Sequence, residues 1–320
     1  MKKILVTGAA GFIGSHTCDA LLARGDRVVG VDNFDSFYDP AIKRRNLAGA
    51  LANERFSLHE LDITDEQSLL RVFEAIRPDV AVHLAARAGV RPSLEDPNLY
   101  HRVNIIGSQH ILDACRRFPV SHLVFASSSS VYGGIKETPF RETMTCDRPV
   151  SPYAATKRMN ELMAHVYHHV YGLKVTLLRF FTVYGPRQRP EMAIHKFSRI
   201  IEEGGSVPMF GDGSSRRDYT FIEDILDGIL KSIDTPLDYE IFNLGESHTT
   251  SLRELIDLLS ETLGKPVSIE PLPFPPSDME TTFADISKAR EMLGYNPRTS
   301  MREGLARFVT WYRAHSSRNL

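Results

Sequence analysis

Apolar positions in the first 180 residues follow two alternating rhythms: short unbroken runs, and longer stretches in which apolar residues recur every three or four positions. The runs predict strands near residues 3–7, 27–32, 55–60, 79–85, 121–127 and 173–180. The stretches predict helices near 12–24, 41–53, 65–76, 98–117 and 151–171, each long enough for a right-handed crossover between parallel neighbours. Such alternation gives an α/β chain built on a doubly wound parallel sheet. After Phe181 the rhythm breaks, and Tyr184-Gly185-Pro186, Gly204-Gly205 and Gly211-Asp212-Gly213 punctuate shorter segments. The pattern predicts a main domain over 1–180, with 219–243 returning to it, and a smaller mixed α/β lobe formed by 181–218 and 244–320. Substrate would lie between the two. The loops after Leu84-Ala85-Ala86 and Phe125-Ala126-Ser127 would share the sheet edge where such folds bind ligands. No internal repeat or low-complexity tail interrupts this plan.

The first strand, Lys3-Ile4-Leu5-Val6-Thr7, runs straight into Gly8-Ala9-Ala10-Gly11-Phe12-Ile13-Gly14 and then a helical pattern. Gly8 permits a tight turn, Gly11 lets backbone approach a pyrophosphate, and Gly14 lets the helix pack on the strand. The spacing is G-x-x-G-x-x-G, a variant of the commoner dinucleotide form. The next strand ends at Asp32, followed by Asn33. A carboxylate there accepts from adenosine ribose hydroxyls and repels a 2′-phosphate, which favours NAD over NADP, although Lys43, Arg44 and Arg45 lie downstream. These residues predict a Rossmann-type domain with Gly8, Gly11, Phe12, Ile13, Gly14, Asp32 and Asn33 at the cofactor.

Composition adds exclusions. The chain has 320 residues, 42% hydrophobic and 24% charged, enough to bury a large core split over two subdomains. A formal charge of −2 supplies no basic field for nucleic acid. Three dispersed cysteines (Cys18, Cys115, Cys146) fit neither a disulfide framework nor a zinc site, so reduced thiols in a cytoplasmic protein are expected. Lys2-Lys3 precedes too short an apolar run for a signal peptide, and no other stretch approaches membrane length. His59-Glu60 and His168-His169 read as core or surface residues, and no metal is expected. The aromatic run Phe34, Phe37 and Tyr38 reads as packing under the cofactor loop.

Tyr153 and Lys157 stand four positions apart in a predicted helix, which sets phenol and ammonium on one face. A phenol must lose roughly 3 pKa units, about 4 kcal/mol, to ionise at neutral pH, and a nearby cation supplies part of that. The hydroxyl run Ser127-Ser128-Ser129-Ser130 ends the preceding strand, where one hydroxyl could share a substrate proton with the phenol. Taken in order, the glycine turn, Asp32, the serine run and the Tyr/Lys helix resemble the extended short-chain dehydrogenase/reductases, specifically the nucleotide-sugar epimerases, over essentially the whole chain.

That resemblance implies roles. Ser128 matches the catalytic Ser/Thr, Tyr153 the general base, and Lys157 the residue that binds the nicotinamide ribose and lowers the tyrosine pKa. Asp62-Ile63 resembles the pair at the adenine, Leu84, Ala85 and Ala86 the cofactor loop, and Asn104 the family's buried asparagine near the catalytic helix. Ser127 and Ser129 would flank the sugar, and Arg217 would clamp the nucleotide diphosphate bidentately; its neighbour Arg216 reads as a surface charge. The implied reaction is oxidation of a UDP-sugar at C4 by NAD, rotation of the 4-keto sugar, and return of the hydride to the opposite face. Dehydrating relatives carry an Asp-Glu pair where this chain has Ser129 and Ser130, which argues against elimination.

The run His83-Leu84-Ala85-Ala86-Arg87-Ala88-Gly89-Val90-Arg91-Pro92-Ser93, together with Thr182 and Arg189-Pro190-Glu191-Met192-Ala193, is similar to the form in epimerases of UDP-glucuronate. UDP-glucuronate to UDP-galacturonate is therefore the expected reaction. UDP-glucose or UDP-N-acetylhexosamine 4-epimerisation, and a dinucleotide-binding sensor or scaffold without activity, remain as alternatives. Arg189 or Thr182 could hold the C5 carboxylate out of line with the C4 ketone and so suppress loss of CO₂. Arg189 reads equally well as a loop arginine bound to the nucleotide or solvent, and Arg87, counted with the substrate residues, reads equally well, like Arg91, as an ion-pair partner. A homodimer is expected through the helices near 98–117 and 151–171, with Leu99, Ile106, Leu112, Met159, Leu162 and Val166 on apolar faces, unless those residues are core.

Overall fold

The computed structural model describes residues 1–275 and 278–316. Six strands lie in the first 180 residues: β1 (Lys3–Thr7), β2 (Arg27–Asp32), β3 (Phe56–Glu60), β4 (Val80–His83), β5 (His122–Ser128) and β6 (Val175–Phe180). Beyond them come β7 (Thr182–Tyr184), β8 (Ser206–Phe210), β9 (Arg216–Arg217), β10 (Tyr219–Phe221), β11 (Tyr239–Leu244), β12 (Thr250–Ser251) and β13 (Ser268–Leu272). β11 joins the first six in one parallel sheet of order β11-β6-β5-β4-β1-β2-β3. Every residue of β5 and β6 is buried, as a strand covered on both faces must be.

Side chains alternate between two apolar layers. Ile4, Val6, Val28, Val82, Val124 and Leu178 face one cluster, which continues into residues beyond 180; Leu5, Val29, Ala81, Leu123, Phe125 and Leu177 face the other. The order reverses between β1 and β4, so the loops after both strands open on one crevice.

The long helix Pro152–Tyr171 has clear local causes. Ser151 caps it by accepting from the Ala154 N–H at 3.1 Å, Pro152 occupies its first turn, and Gly172 ends it in the left-handed region at φ 68°. The predicted helix 41–53 is two short helices, Pro40–Asn46 and Ala48–Leu51. The predicted helix 98–117 is likewise interrupted: Pro97–Tyr100, a π-helical turn His101–Gly107, then Ser108–Arg117. A further helix, Val90–Glu95, follows Gly89, whose φ of 112° turns the chain away from β4.

The remaining segments cover the crevice. β7 pairs with β10, β8 with β13 and β9 with β12, and the helices Ala193–Glu202, Leu252–Leu263 and Met301–Ser316 pack over them. Helix Leu252–Leu263 begins with a capping box between Ser251 and Glu254. Among the described residues no helix is long and apolar enough to cross a membrane.

Candidate active site

The crevice holds a cavity of about 400 Å³, within the range of small-molecule sites. Gly8, at φ 70°, turns the chain from β1 so closely under the β4 loop that a Cβ on it would stand 2.8 Å from the Ala85 nitrogen. A Cβ on Gly14 would stand 1.9 Å from the Gly8 carbonyl oxygen. Both positions therefore require glycine, and the helix Phe12–Ala23 starts with its N-terminus at the cavity.

Asp32 lies buried at the end of β2, its two oxygens accepting from the Ala10 N–H at 3.0 Å and the Phe34 N–H at 2.8 Å. Burial raises its pKa, opposed by the nearby Lys43 ammonium and these two N–H donors. Lys43 is buried in the same wall, its own pKa lowered by that burial and supported by Asp32. Asn33 donates to Asp62 at 2.7 Å. Burial pushes the Asp62 carboxyl up, but hydrogen bonds from Thr64 and Asn33 outweigh it and leave its pKa below the ordinary value.

At the other end of the cavity stand Ser128, Tyr153 and Lys157. The Ser128 hydroxyl donates to the Ser130 hydroxyl and accepts from the Ser130 N–H, each at 3.1 Å, and stands near enough to the Tyr153 phenol to oppose a rise in its pKa. Lys157 is buried and donates to the Ala126 carbonyl at 2.8 Å, with its pKa lowered to about 8 by burial against the pull of Glu161. Tyr153 departs from expectation. Burial raises its pKa, and the groups that oppose the rise are Ser128 and Arg189 rather than Lys157.

Gly8, Gly11, Phe12, Ile13, Gly14, Asp32, Asn33, Asp62, Ile63, Leu84, Ala85, Ala86, Arg87, Ser127, Ser128, Ser129, Tyr153, Lys157, Thr182 and Arg189 all line this cavity. Asn104 and Arg217 do not. Asn104 is buried in the π-helical turn and spends its amide on the Arg87 backbone and Thr156. Arg217 lines an adjoining cavity with Arg91, Asp278, Thr182 and Arg189, and donates to the Arg216 and Glu280 carbonyls. Arg216, read as a surface charge, binds Thr249 and Glu254. Ser127 lines the cavity, yet its hydroxyl turns inward to Glu161 at 2.7 Å.

Phe37, expected to pack under the cofactor loop, also lines both cavities. It lies where the two cavities meet, with the Arg87 guanidinium 4.6 Å and the Arg189 guanidinium 5.7 Å from its ring centroid. Arg87 is paired with Asp35, Arg189 with Glu191 at 3.0 Å and Arg91 with Asp278 at 2.8 Å, so all three have ion-pair partners as well as cavity-facing positions. Lys43, seen in the sequence only as a basic residue, is a wall of the site, and Asp278 carried no sequence signal.

The glycine cradle and the carboxylate at the β2 end fit a nicotinamide dinucleotide, and the Tyr153 phenol and Lys157 ammonium line the same cavity. The family model described as GDP-mannose 4,6 dehydratase matches residues 5–308. A UDP-glucuronate 4-epimerase of Thermodesulfobacterium geofontis is 44% identical over 312 residues, 97% of this chain and 96% of the relative. The structure of UDP-glucuronic acid 4-epimerase from Bacillus cereus in complex with UDP-glucuronic acid and NAD superposes with a TM-score of 0.93 at 38% identity, covering 98% of this chain and 99% of that one. UDP-glucose 4-epimerase of Thermotoga maritima, solved with UDP-glucose, gives 0.90 at 35% identity over 97% and 98% of the two chains. With its glycine turn, serine edge and Tyr/Lys helix opening on one crevice, the chain belongs to the extended short-chain dehydrogenase/reductase family that the dehydratase model describes.

Proposed function

We propose that the protein is an NAD-dependent UDP-sugar 4-epimerase whose substrate is UDP-glucuronate and whose product is UDP-galacturonate. One observation carries the choice of sugar: Arg189 and Thr182 line the same cavity as Ser128, Tyr153 and Lys157, which sets a guanidinium within reach of a carboxylate on the reacting ring. The T. geofontis relative and the B. cereus structure support it.

Gly8, Gly11, Phe12, Ile13 and Gly14 would hold the cofactor pyrophosphate, Asp32 and Asn33 the adenosine ribose, Asp62 and Ile63 the adenine, and Lys157 the nicotinamide ribose. NAD, when bound, supplies the two-electron oxidation and reduction at C4. Tyr153 rests as a neutral phenol at its half-buried position, so positive charge in the loaded cleft must bring its pKa down before it can take the 4-hydroxyl proton. Ser128 keeps the phenol oriented and shares the proton, and Tyr153 returns it once the ring has turned over. Ser129 and Ser130 offer hydroxyls where an elimination would need an acid and a base, so the 4-keto sugar is not dehydrated.

The same proposal assigns residues 1–180 with 219–243 to the cofactor domain and 181–218 with 244–320 to the sugar-nucleotide lobe, which the seat of β11 beside β6 supports. It includes a homodimer in the cytoplasm. Met159, Leu162 and Val166 are 42, 49 and 52% exposed on one side of the catalytic helix, with Ile106 also exposed. Leu112 is fully buried core and leaves that set, while Leu99 is half-buried. The three cysteines are buried thiols without a disulfide, which suits a reducing compartment.

The test is conversion of UDP-glucuronate and of UDP-glucose, supplied separately to the purified protein, followed by chromatographic separation of the C4 epimers. UDP-galacturonate should form at least tenfold faster than UDP-galactose. Turnover of UDP-glucose alone would overturn the substrate, and no turnover of any UDP-sugar would overturn the activity.

A further inference from the structure

The catalytic helix carries one more ionisable group on the Tyr153 and Lys157 face. Glu161 follows Lys157 by four positions, as Lys157 follows Tyr153. Glu161 and Arg179 on β6 are both buried, and Arg179 grips the carboxylate with two N–H bonds, Nε to Oε1 and Nη2 to Oε2, each 2.8 Å. Ser127 donates to Oε1 at 2.7 Å and Arg158 to Oε2 at 2.9 Å. Arg179 also donates from Nη1 to the Tyr132 hydroxyl at 2.9 Å, and Tyr132 donates to Asn243 on β11 at 2.7 Å. Asn243 then donates to the carbonyls of Phe140 and Asp285 at 2.8 and 3.1 Å. A continuous polar chain thus links the serine edge of the cavity, the catalytic helix and the later lobe.

A buried ion pair is a poor device for stability alone, because desolvating both charges offsets most of their attraction and a packed apolar pair does as well. The location of this pair gives it another use. Its carboxylate touches the cavity through Ser127, next to Ser128, and lies one helical turn from Lys157. We propose that Glu161 is a positioning residue for the epimerisation: through Ser127 it fixes the serine edge, and through its charge it keeps Lys157 an ammonium one turn from Tyr153. This inference rests on the roles assigned above to Ser128, Tyr153 and Lys157.

The surrounding groups leave this task to Glu161. Around the carboxylate and its lysine stand Arg158 on the same helix, Arg179 on β6, Tyr132 in the turn after β5, Glu142 and Cys146 in the loop before the helix, Tyr239 on β11 and His83 on β4. Burial holds Tyr132, Cys146 and Tyr239 above their ordinary pKa values and takes His83 down to about 3, so these four are neutral at pH 7. Burial also raises Glu142, whereas the hydrogen bonds from Arg179, Ser127 and Arg158 bring Glu161 below its ordinary value despite its own burial. Removing the Glu161 charge should therefore lower the titration of Lys157, the residue assigned above to the nicotinamide ribose.

The test follows two readouts in the full-length protein as isolated: the pH profile of kcat, and the titration of Lys157 by NMR of lysine labelled with ¹³C. Glu161→Gln is compared with Glu161→Gln/Arg179→Met, which removes the buried Arg179 charge together with its partner should the single variant fail to fold. In either, the Lys157 midpoint and the alkaline limb of kcat should both fall by about one pH unit. Ser127→Ala, a single hydroxyl removed, should lower kcat about tenfold with the Lys157 midpoint unmoved. A merely structural pair would lower stability and leave both pH readouts in place, and that result, or an unchanged kcat in Ser127→Ala, overturns the proposal. A Lys157 midpoint that moves in a protein converting no UDP-sugar would keep the link between Glu161 and Lys157 and sink the epimerase reading instead.

Discussion

Asn104 grips the peptide of Arg87 from both sides: its Oδ1 accepts from the Arg87 N–H at 2.7 Å, and its Nδ2 donates to the Arg87 carbonyl at 2.9 Å. A third bond, Nδ2 to Thr156 at 3.1 Å, ties this grip to the catalytic helix one residue before Lys157. Asn104 thereby sets the distance between the β4 loop and the helix, the two walls facing each other across the cavity.

Asn104→Ala leaves both Arg87 backbone groups without their partner, at a cost of about 2 to 3 kcal/mol. The variant should unfold at lower urea concentration and lose NAD faster on gel filtration, since the loosened loop lines the cofactor cavity. Wild-type stability and NAD content in this variant would show that the grip is dispensable.

Tyr153→Phe removes one oxygen and retains the ring, including its edge contact with Tyr100 at 6.3 Å between centroids. A proton acceptor in the transition state is worth about 10² to 10⁴ in rate. The variant should keep its fold and NAD content while kcat falls by that factor, measured with saturating UDP-glucuronate.

Arg189 is held by Glu191 and lines both cavities, so it can serve the sugar carboxylate without a large movement of its loop. A charge-assisted hydrogen bond is worth roughly 1.5 to 3 kcal/mol, or about ten- to hundredfold in affinity. Arg189→Ala should raise KM for UDP-glucuronate by that factor and leave KM for UDP-glucose nearly unchanged. With the carboxylate free to align with the C4 ketone, mass spectrometry should also detect UDP-pentose formed by loss of CO₂.

The pH dependence of stability should reflect Glu246 and Asp218. Burial, with the charges of Asp224 and Asp218, raises Glu246 to about 8, and one of its oxygens is buried without a hydrogen-bond partner. Burial raises Asp218 to about 6 against the N–H groups of Glu246, Ala284 and Ser247. Both folded values lie above the unfolded ones, so the fold favours the protonated acids. Their contribution is complete below about pH 4 and is lost as pH rises through 6 and then 8. Thermal melts should show Tm falling between about pH 4 and 8, with a shallower fall in Glu246→Gln; an unchanged slope in that variant would exclude Glu246 as the source.

The sheet was legible because each strand is a dense apolar run and each crossover repeats at helical spacing. The glycine turn was legible because its three positions answer separate steric demands, two of them backbone approaches that leave no room for a Cβ. Periodicity could not reveal the π-helical turn at 101–107, since one extra residue per turn shifts the apolar face without breaking the run. Leu112 looked like a surface candidate because a helix in a crossover has two apolar sides, and only the packed sheet shows which is core. The role of Phe37 depends on Arg87 and Arg189, fifty and more than a hundred and fifty positions away. The upward shift of Tyr153 was missed for a related reason: spacing shows which charge is close by sequence, but burial is a property of the whole fold.

The seat of β11 bears on how the chain is made. β6 ends at residue 180, yet its outer neighbour spans residues 239 to 244. On the ribosome, the edge of β6 stays open while some sixty further residues emerge, and β7, β8, β9 and β10 are all synthesised before it closes. The sheet therefore cannot be completed until the segment that carries β7 to β10 has been made. A chain stopped at residue 180 would expose that edge to its neighbours and should aggregate, so β11 works as the cover of an otherwise open edge.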